Sequence, residues 1–342
     1  MLTAAALVRP AEAYAGSKDG KRGFGPLNFF ARYVKIIVTN FLIIKEGLLC
    51  PVCARNSIPV PRMWPEHGKS MNLFTPGECA ANYAAAGRAK TQMPLVKMFL
   101  LAVLAGFFIA MGGAVTNTAV HSIDNVGLAR VVCGLLFPFG LAMVVLTGAE
   151  LFTGNTLITI SVLDGQATVA GMLRSWTVVY LGNAAGAMLV AAGCVLGGQL
   201  NYSGGQLAVF TMKLAAGKCA LPVGGAVILG ILCNVLVTVG VLLSLSAKDL
   251  TGRVAGAWLP VAFFVICGFE HCIANLFYIP AGLFAKTVPA YAALAAESGV
   301  DLSALTWGNF LVKNLIPVTA GNLIGGVCMG AVFWYCHGRK EA

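Results

Sequence analysis

From residue 94 onward, long apolar runs alternate with short polar connections. The runs cover roughly 94–117, 128–162, 173–198, 223–246, 254–286 and 307–336. A helix rises 1.5 Å per residue, so about 20 apolar residues cross the ~30 Å of bilayer hydrocarbon. Six transmembrane helices are predicted on this measure. The second and fifth runs are too long for one helix, and each carries a polar interruption near its middle. These are Gly148-Ala-Glu-Leu-Phe-Thr-Gly-Asn155 and Gly268-Phe-Glu-His-Cys-Ile-Ala-Asn275.

The two octets share the pattern Gly-x-Glu-x-x-x-x-Asn, 120 positions apart. The third and sixth runs also match. Gly182-Asn-Ala-Ala-Gly186 corresponds to Gly321-Asn-Leu-Ile-Gly325, with Arg174 and Lys313 each nine residues before the asparagine. Two matches in the same order divide the chain into two three-span halves. An odd number of spans per half inserts the halves with opposite orientation. The expected fold is therefore an all-α polytopic membrane protein built as an inverted 3+3 repeat, with helices 2 and 5 broken. Paired interruptions of this kind mark a translocation site near the bilayer midplane.

Composition supports this assignment. Of 342 residues, 58% are hydrophobic and 11% charged, and mean hydropathy is +0.83. Soluble domains carry about 25% charged residues. A soluble enzyme, a disordered chain and a nucleic-acid binder are excluded despite the formal charge of +10, and the lipid bilayer is the expected environment. Residues 1–70 differ, with 10 Lys/Arg, 4 Asp/Glu and frequent proline. They read as a poorly structured N-terminal extension to a 71–342 domain. Met71 is the expected translation start, because Met71-Asn-Leu-Phe-Thr-Pro-Gly-Glu78 reads as an amphipathic beginning. Cys50-Pro-Val-Cys53 has zinc half-site spacing without a second half, so no metal and no cofactor are expected. Arg88, Lys90, Lys97, Arg174, Lys248, Arg253, Arg339 and Lys340 fall on one side of the predicted membrane. Arg130, Lys213, Lys218, Lys286 and Lys313 fall on the other. That bias places both termini in the cytoplasm.

Glu150, Glu270 and His271 lie where charge is expensive. Each glutamate stands at a helix break, where unpaired backbone N–H groups call for an acceptor. A scaffold role is expected for both, and for Asn155, Asn183, Asn275 and Asn322 as partners of freed backbone. His271 has Leu151 at the matching place in the first half. Scaffold duties should recur in both halves, whereas chemistry needs only one copy. A neutral, hydrogen-bonded imidazole there can donate to, or exchange a proton with, a passing solute.

Glu150-Leu-Phe-Thr-Gly-Asn155, Gly268 through Asn275, and Asn314-Leu-Ile-Pro-Val-Thr-Ala-Gly-Asn322 closely resemble signatures of the formate/nitrite transporter family. The resemblance covers residues 71–342 and leaves 1–70 unmatched. It implies an aquaporin-like fold in the inner membrane, assembled as a homopentamer with one pore per protomer. Small monovalent anions such as formate, nitrite or hydrosulfide would pass, together with protons, assisted by a central histidine. That histidine corresponds to His271, facing a loop threonine at Thr153. Asn314 matches an asparagine near it, and Asn234 matches a position supporting the glutamate before it, Glu270. Phe137, Leu141, Leu151, Phe152 and Phe264 match two apolar constrictions, and Lys218 a basic residue drawing anions to the outer vestibule. Gly154-Asn155 replaces a serine-threonine pair of the formate channels, and Lys313 an acidic residue. Both departures bear on which anion is preferred.

A water or glycerol channel would need Asn-Pro-Ala at the half-helix tips, and neither octet contains proline. An ammonium channel would favour an acidic or aromatic mouth. A membrane enzyme would need a reactive cluster, but His271 and Cys272 are adjacent and point apart on a helix.

Overall fold

The computed structural model describes residues 72–338. The expectations for Met71, for residues 1–70 with their Cys50–Cys53 pair, and for Arg339 and Lys340 lie outside the described residues.

Six helical segments are long and apolar enough to cross a bilayer: Leu95–Val120, Val126–Thr147, Val169–Leu196, Val223–Ser246, Leu250–Cys267 and Trp307–Gly338. In chain order the helices that matter here are α1 (Pro76–Gln92), α2 (Leu95–Val120), α3 (Val126–Leu136), α4 (Phe139–Thr147), α5 (Phe152–Asn155), α6 (Ile158–Leu163) and α7 (Val169–Leu196). They are followed by α8 (Gln206–Cys219), α9 (Val223–Ser246), α10 (Leu250–Cys267), α11 (Cys272–Lys286), α12 (Pro289–Glu297), and the last span with α13 (Trp307–Asn309) and α14 (Ile316–Phe333). Among the described residues β-pairing is limited to a single antiparallel bridge, Leu73 to Ala247.

Helix α1 starts with a capping box. Thr75 Oγ1 accepts from the Glu78 N–H, and the Glu78 carboxylate accepts from the Thr75 N–H at 2.8 Å. Such a cap contributes about 1 kcal/mol. Cys79, Ala80, Tyr83, Ala84 and Gly87 recur at helical spacing and form its buried face. There the Tyr83 hydroxyl donates to the Gly154 carbonyl at 3.1 Å.

Spans pair through glycine, since lipid offers no hydrophobic drive between apolar helices and close packing must hold them. A Cβ on Gly186 of α7 would collide with the Val103 carbonyl of α2, and one on Gly325 of α14 with the Ile231 carbonyl of α9. The two halves thus use the same contact, first span against third and fourth against sixth.

Two elements were not legible as separate helices. Helix α8 lies between the third and fourth spans and buries Leu207, Ala208, Thr211, Met212, Ala215 and Cys219. It has 14 residues, too few to span, and packs its Ala215 on Gly282 of α11. Helix α12 follows α11 at a 95° bend. With α1 before the first span and α8 before the fourth, each half begins with a short helix whose last turn carries a lysine, Lys90 or Lys218.

Candidate functional site

Both long apolar runs break where expected. Helix α4 ends at Gly148 and α10 at Gly268, with φ of 70° and 71° respectively. That left-handed conformation costs a residue with a Cβ roughly 1–2 kcal/mol, which is why glycine recurs. The chain then runs extended through Leu151 (φ −106°, ψ 126°) or His271 (φ −114°, ψ 114°) before α5 or α11 begins.

The tips are fixed by matching hydrogen bonds. Asn183 accepts from the Phe152 N–H at 2.9 Å and donates to the carbonyls of Ala102 and Glu150. Asn322 accepts from the Cys272 N–H at 2.9 Å and donates to the carbonyls of Gly230 and Glu270. The Glu150 N–H donates to Leu101, and the Glu270 N–H to Leu229. These two asparagines therefore satisfy the backbone freed by the breaks.

The glutamates behave otherwise than expected, because their carboxylates take no backbone N–H. Glu150 accepts from Asn155 at 2.7 Å and pairs with Lys90 at 2.6 Å. Glu270 accepts from Asn275 at 2.7 Å and pairs with Lys218 at 2.8 Å. Asn155 and Asn275 accordingly bind carboxylates rather than freed backbone. The physical reason is charge: a carboxylate 3–4% exposed is best held by a cation plus an amide donor. Lys218 is a part-buried ion-pair partner, its side chain 14% exposed. Lys90 is its counterpart, and the sequence reading did not connect it with Glu150. The available signal was spacing, since Lys90 and Lys218 stand 128 positions apart, as do Leu101 and Leu229.

Asn314 sits in a π-helical turn, Phe310–Leu315. Its Oδ1 accepts from Asn275 at 2.7 Å, and its amide donates to the Lys218 carbonyl and to Glu270. Its partners are the glutamate and its neighbours, without His271. Asn234 reaches neither glutamate. Its amide donates to the Asn322 carbonyl at 2.6 Å and, at longer range, to the Thr153 carbonyl and Thr156 Oγ1.

His271 and Thr153 meet. His271 Nε2 lies 3.0 Å from Thr153 Oγ1, and both residues are buried. His271 Nδ1 accepts the Ala274 N–H at 3.0 Å, so the ring caps the first turn of α11. These partners assign the tautomer: Nδ1 is an acceptor, which leaves the proton on Nε2 and makes Thr153 Oγ1 its acceptor. The threonine hydroxyl hydrogen then remains available.

Beside the ring is a void lined by Ile109, Phe137, Leu141, Leu151, Val237, Val261, Phe264 and His271. Its volume open to water-sized spheres is about 10 Å³, close to what one water requires. Phe264 stacks on His271 with centroids 5.9 Å apart, and Phe137 meets Phe264 edge-on at 6.0 Å. Four of the five apolar residues singled out in the sequence line this void. Phe152 does not; its ring packs edge-on against Tyr180 at 4.8 Å. The arrangement is a small apolar void with one polar side chain, His271, in its wall and Thr153 bonded to that side chain.

Residues 77–336 match the family model described as formate/nitrite transporter. A probable formate transporter of Methanothermobacter thermautotrophicus is 34% identical over 282 residues, spanning 77% of this chain and 97% of its own. The formate channel FocA of Escherichia coli (strain K12) is 35% identical over 275 residues, spanning 79% of this chain and 96% of its own. Among solved structures, a pentameric formate channel with formate bound superposes with a TM-score of 0.63 at 36% identity, covering 72% of this chain and 98% of that one.

Proposed function

Because the chain belongs to the formate/nitrite transporter family, we propose that it carries formate, nitrite or hydrosulfide across the inner membrane. Each protomer of a homopentamer would hold its own pore, in residues 71–342, with both termini cytoplasmic and residues 1–70 as an extension. The single observation that carries this reading is His271, the one polar side chain lining an otherwise apolar void, held 3.0 Å from Thr153 Oγ1.

The energetics favour a neutral passenger. Bringing a bare carboxylate-sized ion into low dielectric costs on the order of 20 kcal/mol by the idealised Born estimate. Protonating a carboxylate of pKa about 3.5 at pH 7 costs roughly 5 kcal/mol at 1.36 per unit. The apolar ring of Phe137, Phe264, Leu141 and Leu151 therefore selects the acid over its anion. Hydrosulfide, with a much weaker conjugate acid, needs less help.

His271 assists neutralisation by hydrogen bonding. With Nδ1 engaged by the Ala274 N–H, the ring is a fixed Nε2–H donor to Thr153. Thr153 in turn can present its hydroxyl hydrogen to a substrate oxygen or sulfur. This donor holds the substrate while the net proton comes from water at the mouth; an imidazolium would first have to release Ala274. Stopped-flow uptake of formate, nitrite and hydrosulfide into proteoliposomes holding the purified protein tests the reading. Acidification-dependent uptake of at least one supports it, and permeation of glycerol or ammonium without any of the three overturns it.

A further inference from the structure

The outer loops carry a set of cations, and not all of them are free to act on a solute. Lys218 is ion-paired with Glu270 at 2.8 Å. Lys286 donates to the carbonyls of Leu302 and Leu305, both at 3.0 Å. Arg130, Lys213 and Lys313 are exposed and make no side-chain hydrogen bond or ion pair with any described residue, and of these three Arg130 shares a helix with a residue that lines the void, Phe137.

Its position is specific. Arg130, Gly134 and Phe137 follow one another at i, i+4 and i+7, which is one face of a helix. Gly134 lets α3 close on α10, since a Cβ there would press on Ile266 at 2.6 Å. The Arg130 guanidinium lies over Gly268, 3.1 Å from where a Cβ would sit. It is also within electrostatic range of Tyr278. Phe137 stacks on Tyr278 at 6.5 Å and meets Phe264 edge-on. Behind those rings lies the void that His271 lines. Seven residues of helix place Arg130 about 10 Å from Phe137 along α3, on the same face.

Resting on the anion-channel reading, we infer that Arg130 is the outer recruiting and selecting residue for the substrate anion. It adds an unpaired positive charge on the Phe137 face of α3 to that of Lys218, which is ion-paired with Glu270. Salt sets the reach of such a charge. The Debye length is about 30 Å at 0.01 M and about 8 Å at 0.15 M, so at 10 Å the attraction is felt in dilute buffer and largely screened at physiological strength.

The experiment uses the full chain in vesicles of zwitterionic lipid, with initial formate uptake measured below saturation in 10 mM and 300 mM salt. Arg130→Gln should lose about two- to fivefold at low salt and almost nothing at high salt. Arg130→Lys should retain wild-type uptake in both. Size-exclusion chromatography of each variant in detergent reports assembly. The inference is overturned by three outcomes: equal uptake of Arg130→Gln and wild type at low salt, an equal loss at both salts, or Arg130→Gln that no longer assembles. The last would make the guanidinium a structural contact, with a lipid phosphate or a neighbouring protomer. A wild type that takes up no anion at all overturns the underlying reading, and this inference falls with it.

Discussion

His271 Nε2 and Thr153 Oγ1 lie 3.0 Å apart, although neither has a polar counterpart in the other half of the repeat. Leu151 occupies the place of His271, and Ile273 the place of Thr153. The halves are alike in what holds the breaks open and unlike at the two side chains that face each other across them. Each half contributes one member of the polar pair, and Leu151 and His271 line the void from matching places.

Thr153 should be tested by size and by chemistry separately. Thr153→Val keeps the volume and removes the hydroxyl, and formate uptake should fall about tenfold or more. That is the scale of losing a hydrogen bond to a charged or ionising partner, about 1.5–3 kcal/mol. Thr153→Ser should stay within a few-fold of wild type in the same stopped-flow assay. Equal loss in both would make shape rather than the hydroxyl the requirement.

For His271, the pH dependence gives the readout. Uptake by the wild type should rise as the outside pH falls, since the protonated fraction of a small acid grows. His271→Phe should abolish this pH-dependent uptake while the assembly still elutes as the wild type does. The substitution also removes the acceptor for the Ala274 N–H, so a modest drop in thermal stability, about 1 kcal/mol, should accompany it. Uptake undiminished and still rising with acid would leave the imidazole a helix cap only.

The two buried ion pairs should behave alike. Lys90→Met strands Glu150 and Lys218→Met strands Glu270, and breaking a buried pair from one side costs about 3–5 kcal/mol. Thermal unfolding in detergent should show both variants clearly destabilised. In Lys90→Met/Glu150→Gln the loss should be smaller than the sum of the singles, because contacting residues are non-additive. A strictly additive cycle would deny that the 2.6 Å contact carries energy.

Glycine on α7 has two distinct uses. A methyl at Gly186 would run into the Val103 carbonyl, whereas one at Gly193 would meet nothing within 4 Å. Gly186→Ala should lower the unfolding temperature by the equivalent of about 1–3 kcal/mol through overpacking. Gly193→Ala should be neutral or slightly stabilising, since alanine is the better helix former by about 1 kcal/mol. Equal effects at both positions would remove the packing argument.

Span number, the paired breaks and the meeting of His271 with Thr153 were accessible from periodicity, octet spacing and resemblance. The partners of the glutamates were not. Their lysines sit on α1 and α8, helices of 17 and 14 residues that an apolar-run count passes over. Helix α8 buries mostly small residues such as Ala208, Ala215 and Ala216, so it lacks the apolar density of a span. Asn314 is turned by a π-helical turn, a backbone irregularity with no spacing signature. The inward or outward orientation of Phe152 depends on Tyr180, 28 positions away in sequence, which no local pattern reveals.

The asparagine clasps have a mechanical consequence. Asn183 ties the α5 tip to α2, and Asn322 ties the α11 tip to α9, each through three bonds. Neither tip is at liberty to swing as a lever. Each clasp stays within its own half of the repeat. On the proposed channel reading, widening of the bore falls to rotation of Phe137, Phe264, Leu141 and Leu151, and flux should track the solute gradient without the microsecond-to-millisecond ceiling of collective rocking.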